Sequence, residues 1–161
     1  MGKSMKLNMK EMNEDAAIEM LEWKYEKPYD FYNNEINEDT INELLDGSYK
    51  VLFDEREEVF GFMCTGEAAR IPIGHQYGIY PDNFIDMGLG MNPKYTGKGY
   101  GYDFCSFIIQ YINENNIGIP IRLSVATFNE RAIHLYERLG FKKRDRFSTE
   151  SREFITMIRE G

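Results

Sequence analysis

Three glycines at alternate positions, Gly97, Gly99 and Gly101 in YTGKGYGYDF, stand between a strand-like run and a long apolar helical stripe. Glycine at this density costs backbone entropy, so the segment needs backbone angles closed to other residues or a surface without side chains. The run before it, NFIDMGLGMNP, reads as a strand interrupted by Gly88 and Gly90 and stopped by Pro93. The run after it sets Phe104, Phe107, Ile108, Tyr111 and Ile112 on one face of a helix expected from Lys98 onward. Strand, glycine turn and helix start make an anion site, because the first amides of a helix lack partners within it and the helix dipole adds partial positive charge. Spacing excludes two known versions of such a site. A Walker loop requires Lys followed by Ser or Thr, whereas Lys98 is followed by Gly99 and Asn92 stands at the first glycine position. A dinucleotide fingerprint counted from Gly97 or Gly99 meets Tyr102 or Phe104 in place of its third glycine.

The rest of the chain mixes strands and helices. Met5, Leu7 and Met9 alternate with Lys6, Asn8 and Lys10 as in a half-exposed strand. NEDAAIEMLEW follows as a helix capped by Asn13, with Ala17, Met20 and Leu21 on one face. KYEKPYDFYNNEIN is irregular, EDTINELLDG is a short helix ended by Gly47, and YKVLFD and EVFGFMCTG are strands joined by EREE. GEAARIPIGHQYGIYPD has no period, and its length marks it as functional or mobile. IPIRLSVA is a strand with Ile121, Leu123 and Val125 on one side. NERAIHLYERLGF is a helix with both ends written out: Asn129 as N-cap, Gly140 past the C-terminus and Phe141 as the apolar contact that follows. Two strands, near Phe141–Phe147 and Arg152–Arg159, close the chain, so the class is α/β (α+β in some schemes) with a mixed sheet.

Composition bounds the function. At 161 residues, 42 % apolar and 29 % charged, residues 1–161 are expected to form one soluble globular domain. A net charge of −8 argues against a nucleic-acid partner, though backbone amides can still hold a small anion. No apolar run approaches the ~18 residues of a membrane span. MGKSMKLNMK lacks a signal-peptide apolar block, and Lys6 breaks the myristoylation pattern, so a cytoplasmic location is expected. Cys64 and Cys105 lack paired or metal-like spacing and read as reduced, buried thiols, and no metal site is expected.

Thr96-Gly97-Lys98-Gly99-Tyr100-Gly101 resembles the acetyl-CoA pyrophosphate loop of the GNAT N-acetyltransferase superfamily, Gln/Arg-x-x-Gly-x-Gly/Ala, with Thr96 in place of Gln or Arg. About thirty residues on, Asn129, Tyr136 and Leu139-Gly140-Phe141 match the family's next segment. In isolation Asn129 is an N-cap and Tyr136 a core aromatic; their joint spacing carries the resemblance, which covers residues 84–141. It implies a central mixed sheet of roughly six to seven strands with about four helices, splayed between the fourth and fifth strands. It further implies that Leu89 and Met91 pair with the pantetheine amides of acetyl-CoA, and that Gly88 and Gly90 serve a bulge. Backbone amides of Gly97, Lys98, Gly99, Tyr100, Gly101 and Tyr102 would hold the pyrophosphate beside Thr96, with Lys94 or Lys98 adding charge. Asn129 would reach the pantetheine.

The reaction this implies is direct attack of an amine on the thioester. A backbone N–H near Met91 would hold the oxyanion, and Tyr136 would be the general acid for the leaving thiolate. Relatives that acetylate protein N-termini place a Glu base where this chain has Ser124. Asp86 is the substitute base, with a water chain as the alternative. His134 reads as structural, and His75 as a residue that could line the acceptor pocket. Acceptor specificity in the superfamily comes from the first helices and the loop before the fourth strand. Here those segments hold Trp23, Tyr25, Tyr29, Phe31, Tyr77 and Tyr80 with Asp30, Glu35, Glu67 and Asp82, either a wall for a cationic amine or packed loops with solvated acids. The expected partner is a small-molecule or peptide amine, with a homodimer left open. The competing class is a non-catalytic acyl-CoA-binding module of the same fold.

Overall fold

The computed structural model describes residues 6–81 and 83–160, apart from the side chains of Phe31 and Tyr32. In chain order the elements are β1 (Asn8–Glu11), α1 (Glu14–Glu22), α2 (Glu38–Leu44), β2 (Tyr49–Phe53), β3 (Val59–Thr65), β4 (Ile85–Met91), α3 (Gly101–Asn115), β5 (Ile121–Ala126), α4 (Glu130–Arg138), β6 (Lys142–Ser148) and β7 (Glu153–Arg159). The sheet is mixed and seven-stranded, in the order β1-β2-β3-β4-β5-β7-β6. The chain packs as two compact units, one formed by the stretch to Cys64 with Leu89–Phe104, the other by Thr65–Gly88 with the stretch from Cys105.

In the first unit β1, β2 and β3 are successively antiparallel. Leu7 and Met9 are half-buried between exposed Lys6, Asn8 and Lys10, the alternation a one-sided strand needs; Met5 lies outside the described residues. Asn13 caps α1 by accepting the Ala16 N–H at 2.8 Å. That fixes the face carrying Ala16, Ala17, Met20 and Leu21, which are buried with Trp23, Leu44, Val51 and Val59. A reciprocal cap between Asn37 and Thr40 starts α2. The Asp54 carboxylate closes the β2–β3 turn by accepting the amides of Arg56 and Glu58 at 2.9 and 3.0 Å. β4 runs unbroken from Ile85 to Met91, against the expectation of an interruption at its glycines. Space explains Gly90: a Cβ there would sit 2.3 Å from the Phe62 ring, so glycine lets that ring pack on the strand.

In the second unit β5 is buried on both sides. Ile121, Leu123 and Val125 share one face as expected, and Arg122 and Ala126 are buried as well. β5 runs antiparallel to β7 from Ile121↔Arg159 to Ala126↔Phe154. β4 and β5 are parallel, and their ladder joins Ile85 to Ile121 and Asp86 to Arg122, whereas β4 continues to Met91. β6 forms the sheet edge with exposed Lys142, Lys143, Arg144 and Arg146 and a register shift between Lys143 and Arg146, features that discourage edge-to-edge pairing. The unpatterned segment before β4 holds two 3₁₀ turns, Gly66–Ala69 and Pro72–Tyr77. It packs through Ile79 and Tyr80 onto Ala126, Phe147 and Phe154.

Candidate active site

The glycine segment is a turn pinned at both ends. At its start Asn92 is 8 % exposed; its Nδ2 donates to the Val59 carbonyl at 3.0 Å and its Oδ1 accepts the Lys94 amide at 3.2 Å. Pro93–Tyr95 is a short 3₁₀ turn, and the Thr96 hydroxyl folds back to donate to the Pro93 carbonyl at 2.9 Å. Thr96 thus closes the turn with its own hydroxyl. Tyr95 stacks on Phe60 at 4.6 Å, and Tyr100 meets Phe60 edge-on at 5.6 Å. Between these two rings Gly97 and Gly99 have φ of +71° and +89°, angles that favour glycine. A Cβ on Gly99 would meet nothing within 4 Å, so the outer side of the turn is open.

Helix α3 begins at Gly101, three residues later than expected, and the Phe104 amide bonds back to the Tyr100 carbonyl at 3.0 Å. The amides of Gly101, Tyr102 and Asp103 precede that bond, at the positive end of the helix dipole. Open glycine backbone followed by these donors fits a pyrophosphate. Lys94 is engaged: its Nζ donates to Glu58 at 3.1 Å, and the Lys94 and Tyr95 hydrogen bonds hold the Glu58 carboxyl below the usual carboxylate range. Lys98 is exposed on the turn. A cavity of about 310 Å³ on the ring side of the turn is lined by Phe60, Tyr95 and Tyr100 with Asp54, Glu55, Lys6 and Arg56.

The end of β4 carries the expected backbone residues. The Asn92 N–H pairs with the Phe60 carbonyl of β3 at 2.8 Å. The Met91 carbonyl accepts the Tyr25 hydroxyl at 2.8 Å, a bond the sequence did not announce.

The second unit holds the other site residues. Asn129 caps α4 by accepting the Ala132 amide at 3.2 Å. Tyr136 lies two turns along the same helix, half-buried, with its ring edge-on to Phe141 at 5.9 Å. Past the helix, Gly140 has φ of +96° and the Phe141 amide bonds back to the Tyr136 carbonyl at 3.0 Å, which fixes the last turn that carries Tyr136.

Asp86 requires a correction. Its side chain is 1 % exposed, with Arg122 Nε on Oδ1 at 2.6 Å, Arg122 Nη2 on Oδ2 at 2.8 Å and Arg70 Nε on Oδ2 at 2.7 Å. A carboxylate gripped by two guanidiniums and shut from solvent holds two strands and a loop together and is not placed to take a substrate proton. Arg122 and Arg70 were missed in the sequence; the available signal was a charged residue inside the apolar strand IPIRLSVA. Ser124 is also engaged, its Oγ hydrogen-bonded to the Tyr80 hydroxyl, which accepts the Ile71 amide at 3.0 Å. Burial pushes the Tyr80 phenol up, so it stays protonated at neutral pH. His75 is an exposed partner of Glu67 at 3.2 Å, and His134 lies on the exposed side of α4.

The aromatic set expected to face an acceptor divides. Trp23 and Tyr80 are core residues at 9 % and 6 % exposure, Tyr25 and Tyr29 are half-buried, and Tyr77 is 58 % exposed. Asp30, Glu35 and Glu67 are exposed; the Phe31 side chain and Asp82 lie outside the described residues.

A family model described as Acetyltransferase (GNAT) family matches residues 14–141, most of the chain. No curated relative matches. Among solved structures, an acetyltransferase of the GNAT family from Bacillus anthracis has a TM-score of 0.74 at 14 % identity, over 99 % of this chain and 97 % of that one. An uncharacterized protein from Bacillus halodurans has a TM-score of 0.76 at 16 % identity, over 97 % and 84 %. Spermidine N-acetyltransferase from Vibrio cholerae, solved with CoA and spermine, has a TM-score of 0.72 at 18 % identity, over 96 % and 95 %. At these identities the likeness to solved structures is one of fold. The family model spans residues 14–141, well over half of the chain with the glycine turn inside it, and the chain belongs to the GNAT acetyltransferase family.

Proposed function

We propose that residues 1–161 act as a single acetyl-CoA-dependent N-acetyltransferase domain that acetylates a primary amine of a small molecule or peptide. The observation that carries this reading is the turn at Gly97 and Gly99, held at positive φ and opening onto the first amides of α3 in a chain of this family. Acetyl-CoA supplies an activated thioester that an amine can attack directly. The amides from Gly97 to Tyr102 bind its pyrophosphate, with Thr96 closing the turn and Lys98 adding charge. Leu89 pairs with the pantetheine through its backbone, Met91 meets the thioester end of the same arm through its N–H, and Asn129 supports it. The Met91 N–H stabilises the oxyanion that develops on the thioester carbonyl. Tyr136 donates a proton to the departing thiolate.

An alkylammonium has a pKa of about 10, so the nucleophile must lose a proton at neutral pH. With Asp86 and Ser124 engaged, an ordered water takes that proton. A cationic amine suits the exposed carboxylates Asp30 and Glu35, and the fold shared with an enzyme solved with spermine makes polyamines the first substrates to try. The test is release of free thiol from acetyl-CoA with spermidine, spermine, kanamycin, lysine amide and a peptide with a free N-terminus. Amine-dependent release is expected. A second reading, a non-catalytic acyl-CoA-binding module, is favoured by the engagement of both Asp86 and Ser124. Tight acetyl-CoA binding with no thiol release for any amine would select it. A larger thermal shift with ATP or NAD than with acetyl-CoA would contradict both.

A further inference from the structure

Tyr25, in the segment between α1 and α2, is fixed at both ends. Its backbone N–H donates to Asn33 Oδ1 at 2.7 Å, and its hydroxyl donates to the Met91 carbonyl at 2.8 Å, 66 residues away in the chain. Its ring packs on the cluster of Trp23, Val51 and Val59. The direction of the strand gives this bond its meaning. The Asn92 N–H faces β3, where it meets the Phe60 carbonyl. Neighbouring residues of a strand turn their peptide groups to opposite edges, so the N–H and C=O of Met91 share the edge facing away from β3. The Tyr25 hydroxyl, bonded to that carbonyl, therefore lies on the edge that carries the Met91 N–H.

We propose that Tyr25 receives the acceptor amine, an inference that rests on the acetyltransferase reading above. A phenol has one O–H and two acceptor lone pairs. The single proton is donated to Met91, so toward a ligand the Tyr25 oxygen is an acceptor. The nucleophilic nitrogen must come within about 3–3.5 Å of the thioester carbon, and the thioester oxygen is assigned to the Met91 N–H. The phenol oxygen beside that N–H accepts an N–H of the amine and turns its lone pair toward the carbonyl carbon. The same hydroxyl holds the Met91 peptide in the orientation the oxyanion needs. No covalent bond to Tyr25 forms.

The variant is Tyr25→Phe, which keeps the ring and its packing. Across the five amines above, kcat/KM for the amine should fall about tenfold or more, the worth of one hydrogen bond from the ammonium form in which the amine first binds, chiefly through KM. The KM for acetyl-CoA should stay within about twofold, because phenylalanine leaves the ring packing intact. An unchanged kcat/KM for the amine overturns the proposal. So does an equal loss for amine and acetyl-CoA, which would make the bond a strand tether only. The parent protein separates this inference from the one beneath it. A parent that turns over no amine refutes the acetyltransferase reading, and calorimetry of spermidine with the CoA-saturated protein then decides Tyr25 alone. Weaker binding in Tyr25→Phe supports it; equal binding, or none to either protein, overturns it.

Discussion

Replacing Asp86 separates a buried clamp from a catalytic base. Asp86 and Arg122 are each 1 % exposed and joined by two bonds of 2.6 and 2.8 Å, with Arg70 adding a third at 2.7 Å. Arg122 Nη1 also donates to the Ile79 carbonyl at 3.3 Å, so the guanidinium is anchored whether or not the carboxylate is present. Asp86→Asn removes the charge and turns an amide N–H₂ toward one guanidinium, leaving Arg122 buried without its counter-ion. Breaking a buried pair in this way costs about 3–5 kcal/mol. At about 2–4 °C per kcal/mol for a domain of this size, the melting temperature should fall by about 6–20 °C. The double variant Asp86→Leu with Arg122→Met removes both charges and should recover much of the loss, since Arg70 keeps Glu67 at 2.7 Å. Thermal unfolding followed by circular dichroism reads both effects. Turnover measured well below the melting temperature completes the test: a clamp predicts that folded Asp86→Asn stays within several-fold of the parent. A melting temperature unchanged within about 2 °C, together with turnover lost by about a hundredfold, would refute the clamp and return Asp86 to the role of base.

Other perturbations address the remaining site residues. Tyr136→Phe should lower kcat markedly while acetyl-CoA affinity, measured by calorimetry, stays nearly constant; full activity contradicts its role as the acid. Gly99→Val forces a branched residue into φ near +89°, at a cost of roughly 1–2 kcal/mol, and turns the loop amides away. Acetyl-CoA affinity should fall by about tenfold or more while the melting temperature falls by about 2–8 °C, and unchanged affinity would remove the loop from the cofactor site. Burial pushes the Cys105 thiol from 9.0 up to about 12. The folded state therefore keeps the thiol neutral where the unfolded chain ionises. Its contribution to stability is complete below pH 9.0 and is lost as pH rises toward 12, so Cys105→Ala should flatten the alkaline side of the stability curve. Parallel curves for the two proteins would rule that out.

Local chemistry made part of the site legible in the sequence. Asn13, Asn129, Gly97, Gly99, Gly140 and Phe141 each satisfy a backbone requirement of their own turn or helix end, and so each was visible without knowledge of the rest. The period of α3 likewise showed its face, although the helix starts at Gly101, after the turn, and not at Lys98. Pairings between distant segments were hidden. Asp86 looked available because its partners lie 16 and 36 residues away, and strand register decides that Arg122 stands opposite it. Tyr25 and Met91, 66 residues apart, were both singled out but for separate reasons. Whether Trp23 and Tyr80 formed a ligand wall or packed their loops stayed open in the sequence, because an unpatterned loop has no period to show which aromatic points inward; both are core residues. Gly90 was assigned to a strand interruption, whereas the approach of Phe62 accounts for it.

The most direct test of the acetyltransferase reading is mass spectrometry of the amine after incubation with acetyl-CoA and the parent protein, run beside Tyr136→Phe. An acetylated primary amine is expected for at least one of the five compounds, formed in step with free thiol and strongly reduced in the variant. Tight acetyl-CoA binding with no acetylated product from any of them would contradict that reading.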